Sequence, residues 1–363
     1  MAEFNFAEAF YNSFSSNSNF IGELASLQSS KSFPICLVPF YTNESLNELF
    51  LIKPSNCEKI KLFRSNGSVF AYEIIPKNNI KNHDSFDKAI FFIYKMDPNK
   101  NIYVLISLEK GPIFEKVIKP LIKRNSPNII TTFISHNEFY SLLRTFKEKH
   151  NFTDIEIKKT SQSIRYEENG IKKIISGLEW PNLSIDGAFE WIKEKNGWFK
   201  SLRFHPKYYN NSLADIYISR QGIVKTNAMF IDVFNEIVIP IINMLEEKVK
   251  KFSNRSRREN NFDVKPLLIE FDEEKFADID ENKLFIDSIR NYKNSSISIL
   301  HGNPYVHLSI IDYFDGSNFD IWVLNSSSIT IVPQLKGSAF ALKRLVNHIY
   351  DSYGEGEIKE YQE

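Results

Sequence analysis

The sequence predicts a mixed α+β fold, and three observations carry that expectation. Short apolar runs bounded by Asn, Ser, Gly or Pro recur from Pro34 onward, the mark of β-strands. Between them lie stretches with apolar residues at helical spacing, clearest in Phe230, Val233, Phe234, Ile237, Val238, Ile241, Ile242 and Leu245. Strand and helix alternate through residues 102–159 as in a βαβ unit, whereas the last third is mostly strand after strand closed by a helix.

In chain order, residues 1–32 open with Phe4, Phe6, Phe10 and Phe14, a helical patch of rings expected to dock on a partner, followed by a Ser- and Asn-rich loop. Strands are expected at Ile35–Phe40, Lys59–Phe63, Val69–Ile75, Ala89–Tyr94 and Ile102–Leu108. Gly111-Pro112 opens a helix that runs to Lys123. After a strand at Ile129–Ile134, Asn137 is expected to cap a helix carrying Phe139, Leu142, Leu143 and Phe146, with Lys147 and Lys149 at its favourable C-terminal end. A strand at Ile155–Lys159 follows. Residues 174–204 then give strand, helix and strand, with Ser184 as N-cap and Asn196-Gly197 as stop.

The C-terminal half starts with a strand at Ala214–Ser219 and a turn at Gln221-Gly222. A long helix from Met229 to about Lys251 contains Pro240, which is expected to kink or split it. Further strands are expected at Leu267–Phe271, Ile297–Leu300, Val306–Ile311, Phe319–Leu324 and Ile329–Val332, with a short helix at Lys283–Ile289. Residues 315–318 and 325–328 make hairpin connections. The helix Ala339–Tyr350 covers this meander, and the charged tail after Gly354 is expected to fray. No repeat of fixed period is visible. The domain organisation that follows is a docking segment at 1–32, a β-rich and βαβ-type domain at 33–205, and an antiparallel domain at 212–357 packed by the long helix and the C-terminal helix.

Composition narrows the function. The 363 residues balance 45 Lys+Arg against 45 Asp+Glu, which disfavours a generic polyelectrolyte binder. With 31 Phe, the core relies heavily on ring packing. Two cysteines are too few to staple the chain, no signal-peptide pattern opens it, and no apolar window is long enough to span a bilayer. A cytoplasmic protein without membrane attachment is expected.

Signatures for nucleotide hydrolysis, metal chemistry and the serine nucleophile elbow are missing, so no cofactor and no metal is assigned. Asp312, Asp315 and Asp320, with His301 and His307 on preceding strands, are of ligand type, but hairpins use Asp for its turn chemistry. Arg344 and His348 share a helix face and are expected to make a surface contact. Lys248, Lys250, Lys251, Arg255, Arg257 and Arg258 form a basic segment that could grip phosphates, beside an acidic run at 270–281.

His205-Pro-Lys207, with Asp215 beyond it, supplies an imidazole nucleophile and an ammonium for phosphodiester oxygens. Across these eleven residues the arrangement resembles the HxKxxxxD motif of the phospholipase D family. Ser212 stands where that family has Asp, and His301-Gly-Asn303 lacks the lysine a second copy would need. The resemblance implies a phosphodiesterase or nuclease as the alternative. The leading expectation is a non-catalytic binding or assembly subunit of a bacterial complex, with a protein partner and an association with nucleic acid. Usage rich in Ile, Lys, Asn and Phe suits a low-GC bacterial chain, and such chains often serve antiviral defence or mobile elements.

Overall fold

The first strand, β1 (Ile35–Tyr41), reads Ile-Cys-Leu-Val-Pro-Phe-Tyr with no polar alternation, because both its faces are covered. It pairs with β5 over Cys36–Tyr41, and on its other edge with β13 over Ile35–Leu37 and with β6 over Phe40–Tyr41. Pro39 falls in the gap between those last two partners, where its missing N–H costs no ladder bond on that side. The computed structural model describes residues 10, 20–30, 33–50, 57–77, 88–109, 111–168, 171–209, 211–253 and 266–360.

The other strands are β2 (Cys57–Asn66), β3 (Val69–Pro76), β4 (Ala89–Lys95), β5 (Ile102–Ser107), β6 (Ile130–Thr131), β7 (Asp154–Glu168), β8 (Ile171–Glu179), β9 (Leu183–Ser184), β10 (Gly197–Tyr208), β11 (Asn211–Ser212), β12 (Ile216–Ser219), β13 (Val224–Thr226), β14 (Leu267–Glu270), β15 (Ser295–His301), β16 (Val306–Asp312), β17 (Asn318–Val323), β18 (Ser328–Pro333) and β19 (Glu357–Glu360). The helices are α1 (Phe20–Ser30), α2 (Leu46–Leu49), α3 (Gly111–Ile113, Phe114–Ile118 and Lys119–Arg124), α4 (His136–Lys149), α5 (Ile185–Glu194), α6 (Phe230–Val233, Phe234–Val238 and Ile239–Ser253), α7 (Ile279–Arg290) and α8 (Ala339–Ser352). The fold is mixed α+β with two antiparallel sheets.

The chain divides into two compact units. The first holds residues 1–160, 180–188 and 201–246, the second 161–179, 189–200 and 247–363. The sequence-based boundary at 205–212 lies inside the first unit, and the strands β7 and β10 are each divided between the two.

In the first unit the strand order is β2-β3-β4-β5-β1-β13-β12, continued by the parts of β10 and β7 that it contains. The expected βαβ unit is present in altered form: β5 and β6 run the same way, linked by α3, with the antiparallel β1 between them. One core cluster joins Cys36, Val38 and Phe40 of β1 to Phe114, Val117, Ile118 and Leu121 of α3. Ser135, two residues before the expected cap, starts α4: its Oγ accepts the Glu138 N–H, and the Glu138 carboxylate accepts the Ser135 N–H.

Pro240 neither splits nor ends its helix. A wide π turn, Phe234–Val238, precedes it, with the Ile239 N–H donating to the Phe234 carbonyl. The wider turn makes room for a proline that has no N–H and whose ring crowds the carbonyl four residues back. The same device stands in α3, where Phe114–Ile118 precedes Pro120 and the Lys119 N–H donates to the Phe114 carbonyl. Residues 113–122, Ile-Phe-Glu-Lys-Val-Ile-Lys-Pro-Leu-Ile, match residues 233–242, Val-Phe-Asn-Glu-Ile-Val-Ile-Pro-Ile-Ile. The six shared apolar positions are buried in both copies. Each copy follows an antiparallel hairpin, β4–β5 or β12–β13, and β5 and β13 flank β1. A structural repeat is therefore present that a fixed-period search of the sequence passes over.

In the second unit the six-stranded order is β15-β16-β17-β18-β14-β19. Along β16, Val306, Leu308 and Ile310 are buried while His307, Ser309 and Ile311 face outward. The tail does not fray over 357–360. It pairs as β19 with β14, placing Ile358 beside Ile269. Phe271, Phe276, Phe285 and Tyr353 form a ring cluster, with Arg165 stacked over Tyr353 at 4.6 Å. Arg165 also bonds Glu281 and the Tyr353 carbonyl, at 3.0 and 2.9 Å.

Three further expectations meet the structure here. Arg344 is not a surface contact: it bonds Asp312, which is fully buried, and stacks on Tyr292 and Phe314 at 4.2 and 4.6 Å. Phe10 is buried, packing against Phe20 and Phe92 of its own chain rather than standing free for a partner. Phe4, Phe6 and Phe14 lie outside the described residues. No described helix is long and apolar enough to cross a membrane.

Candidate polyanion-binding face

Strand periodicity places Arg203, His205 and Lys207 on one face of β10, because Leu202, Phe204 and Pro206 between them are buried on the other. Asp215 precedes β12, the neighbouring strand, and comes back to this face. Its carboxylate takes two hydrogen bonds from Arg203, that from Nε at 2.7 Å, and lies 3.5 Å from His205 Nε2. Burial works to raise the Asp215 pKa, but the Arg203 hydrogen bonds and charge, with His205, outweigh it and hold the group below its usual range.

Lys207 is turned the other way. Its ammonium sits 2.6 Å from Glu156 on β7, which Lys158 also contacts at 2.9 Å. Those two lysines hold the Glu156 pKa below its ordinary value. A third carboxylate repeats the pattern. Glu115 on α3 meets Lys225 of β13 at 2.6 Å and Lys119 at 2.7 Å. Burial alone would raise Glu115, and the two lysine hydrogen bonds reverse the sign.

The register joins these groups in a row. Cys36, Lys225, Tyr217 and Arg203 are successive cross-strand partners on β1, β13, β12 and β10, so their side chains leave the sheet on the same side. The row begins in the core at Cys36, whose thiol is pushed up to about 12 by burial and supplies no nucleophile. Lys225 emerges at the edge of α3, stacked over Phe114 and Tyr217 at 5.1 and 5.5 Å. Beyond Tyr217, Arg203 is exposed and His205, Lys207 and Asp215 are half-buried.

Three carboxylates are thus each bracketed by two basic side chains: Lys119 and Lys225, Arg203 and His205, Lys158 and Lys207. With His205 neutral the face carries two positive charges in excess. Sequence reasoning found His205, Lys207 and Asp215 but missed Arg203, Glu156, Lys158, Lys225 and Glu115. The alternation of Arg203 with His205 and Lys207 was the available local signal.

The geometry separates the expected catalytic pair. His205 is joined to Asp215, while the Lys207 ammonium is held on Glu156. The described part of the basic segment belongs to the second unit. Lys250 and Lys251 are exposed on the last turn of α6, Lys248 is half-buried, and Arg255, Arg257 and Arg258 lie outside the described residues.

The metal-type residues are drawn apart. Asp312 is taken by Arg344, Tyr292 and the Phe314 N–H, and Asp315 by Ser338 and the Ser317 N–H. Asp320 accepts from Gln334 and lies 3.5 Å from His307, which stacks on Trp322. Among the described residues no group of three His, Cys, Asp or Glu side chains could hold a metal ion.

A hollow of about 400 Å³ in the first unit is lined by Arg144, Lys147, Glu148, Asn151, Phe152, Ile185 and Asp186. Its charges are spent locally, on Arg144–Glu148, Lys147–Asp154 and Tyr140–Asp186 contacts. The sequence matches no protein-family model and none of the curated proteins with which it was compared.

Proposed function

We propose that the chain is a non-catalytic binding subunit of a cytoplasmic bacterial assembly, and that this face holds the phosphate backbone of a nucleic acid. The observation that carries the reading is the excess of cations over carboxylates along Lys225, Arg203, Lys207 and Lys158. Glu115 and Glu156 each keep one lysine in place when a phosphate draws the other away, so those pairs stay ordered while the face binds. Lys225 and Arg203 stand two strands apart, roughly 10 Å, which lets them meet different phosphates. Residue usage supports the bacterial setting and, with it, a place in a defence or mobile-element system.

Binding of labelled single- and double-stranded oligonucleotides, measured at low and then rising salt, tests the proposal. A variant combining Arg203→Ala, Lys207→Ala and Lys225→Ala is expected to lose binding, whereas Lys250→Ala with Lys251→Ala retains it. Wild-type protein that binds nothing at low salt sinks the proposal. Loss confined to the Lys250 and Lys251 variant moves the grip to the end of α6.

The His205–Asp215 approach supports a second reading, a phosphodiesterase in which Asp215 orients the imidazole. His205→Ala is then expected to abolish hydrolysis of a phosphodiester substrate. Activity that survives the substitution, or its absence from the wild type, removes this alternative.

A further inference from the structure

Among the described residues, the two main strand orders end in four strands, and three of them are charged. β2 carries Glu58, Lys59 and Lys61, β8 carries Lys172, Lys173 and Glu179, and β19 carries Glu357, Lys359 and Glu360. Charge on an edge is a usual defence against pairing with another chain. β15 has none. It reads Ser-Ser-Ile-Ser-Ile-Leu-His over residues 295–301, contains no proline, and pairs only with β16 among the described strands. Ile299 and Leu300 are 40 and 57% exposed.

We propose that β15 is the dimerisation strand of this protein, pairing antiparallel with β15 of a second copy to join two six-stranded sheets into one. The sequence is what selects a second copy. Ile297-Ser298-Ile299 is a palindrome, so an antiparallel pair centred on Ser298 sets Ile297 against Ile299 of the other copy, twice. Both residues pair across β16 with buried positions, Ile310 and Leu308, so the new contacts extend the apolar side of the sheet. Ser298 then faces its own counterpart, and no charge is brought against a like charge. The exposed Leu300 comes opposite Ser296 of the other copy, beside Ile311, which is 47% exposed and pairs with Ser296 in its own sheet. The register break between Ile299 and His301 limits the pairing to about the length of the palindrome and its flanks.

Light scattering coupled to size exclusion, on the full chain over a range of concentrations, reads the mass directly. The wild type is expected at twice 42.3 kDa at the upper end. Ile297→Pro, which removes an N–H directed at the free edge because the alternating ladder turns that of Ser298 to Ser309 of β16, and Ile299→Lys, which charges an already exposed side chain, are each expected to give the monomer with an unchanged circular dichroism spectrum. Leu335→Lys, at a site 85% exposed and away from β15, is expected to leave the dimer intact. If Ile297→Pro does not fold, Ile299→Lys still decides. Ser298→Cys adds a test of register, because only pairing centred on residue 298 lets the new thiol cross-link to its copy under mild oxidation. A wild type that stays monomeric throughout, or a dimer untouched by Ile299→Lys and not cross-linked by Ser298→Cys, overturns the proposal.

Discussion

Glu109 follows β5 with its carboxyl buried, where it accepts the Ile90 N–H at 2.8 Å. Burial pushes its pKa up to about 7 from an ordinary 4.5, and the Ile90 hydrogen bond offsets only part of that. A carboxyl with a raised folded pKa contributes stability that is full below 4.5 and is lost as pH rises to about 7. His136 has the opposite sign. Burial, with the Arg220 charge, lowers it from 6.5 to about 4, so its contribution is present above 6.5 and lost as pH falls to about 4. The two slopes oppose each other between 4.5 and 6.5. Glu109→Gln is expected to shrink the fall in urea midpoint between about pH 5 and about pH 8. A fall as large as in the wild type would show that Glu109 does not cause it. At this scale the sequence shows which residues can titrate, and only burial says which of them do so abnormally. Asp312 makes the same point: its turn chemistry was legible, but its partner Arg344 lies 32 residues away.

Hairpins and helices were mostly legible because their signals are local. Ser184 does cap α5, its Oγ accepting the Gly187 N–H at 3.2 Å. The Gln221-Gly222 turn joins β12 to β13, with Gly222 at φ +75°. A Cβ there would stand 2.7 Å from Thr132 Cγ2, against a side chain on another segment. Gly222→Ala is expected to cost about 1–2 kcal/mol from the left-handed backbone alone. The clash adds to that, and thermal unfolding measures the sum. The π turns before Pro120 and Pro240 were not legible. A proline in a helical pattern normally marks a break, and here the wider turn and the buried apolar face of each helix keep it whole. The tail strand β19 was missed for a related reason: four residues rich in charge form a strand only because β14 offers an edge.

A net charge of zero over the molecule conceals its local distribution. The bracketed carboxylates draw on residues 115 and 225, 156 and 207, and 203 and 215, separations that composition averages away. If the face releases counterions from a nucleic acid, the log–log dependence of affinity on salt falls in slope when its cations are removed. Loss of three phosphate contacts corresponds to about 2 to 3 units of slope. An altered affinity with an unaltered slope would mean that the three side chains act through folding rather than through phosphate contact.

Element type, turn positions, the mixed α+β class and the absence of the common catalytic motifs were determined by the sequence itself, since each depends on neighbours a few residues apart. Tertiary structure decided the rest. It set β1 between β5 and β13, split the His205 and Lys207 pair between two carboxylates, buried Asp312 under Arg344 and left β15 at an edge. Strand pairing brings together residues a hundred or more positions apart, and the register of such pairs rests on the whole sheet rather than on any segment of it.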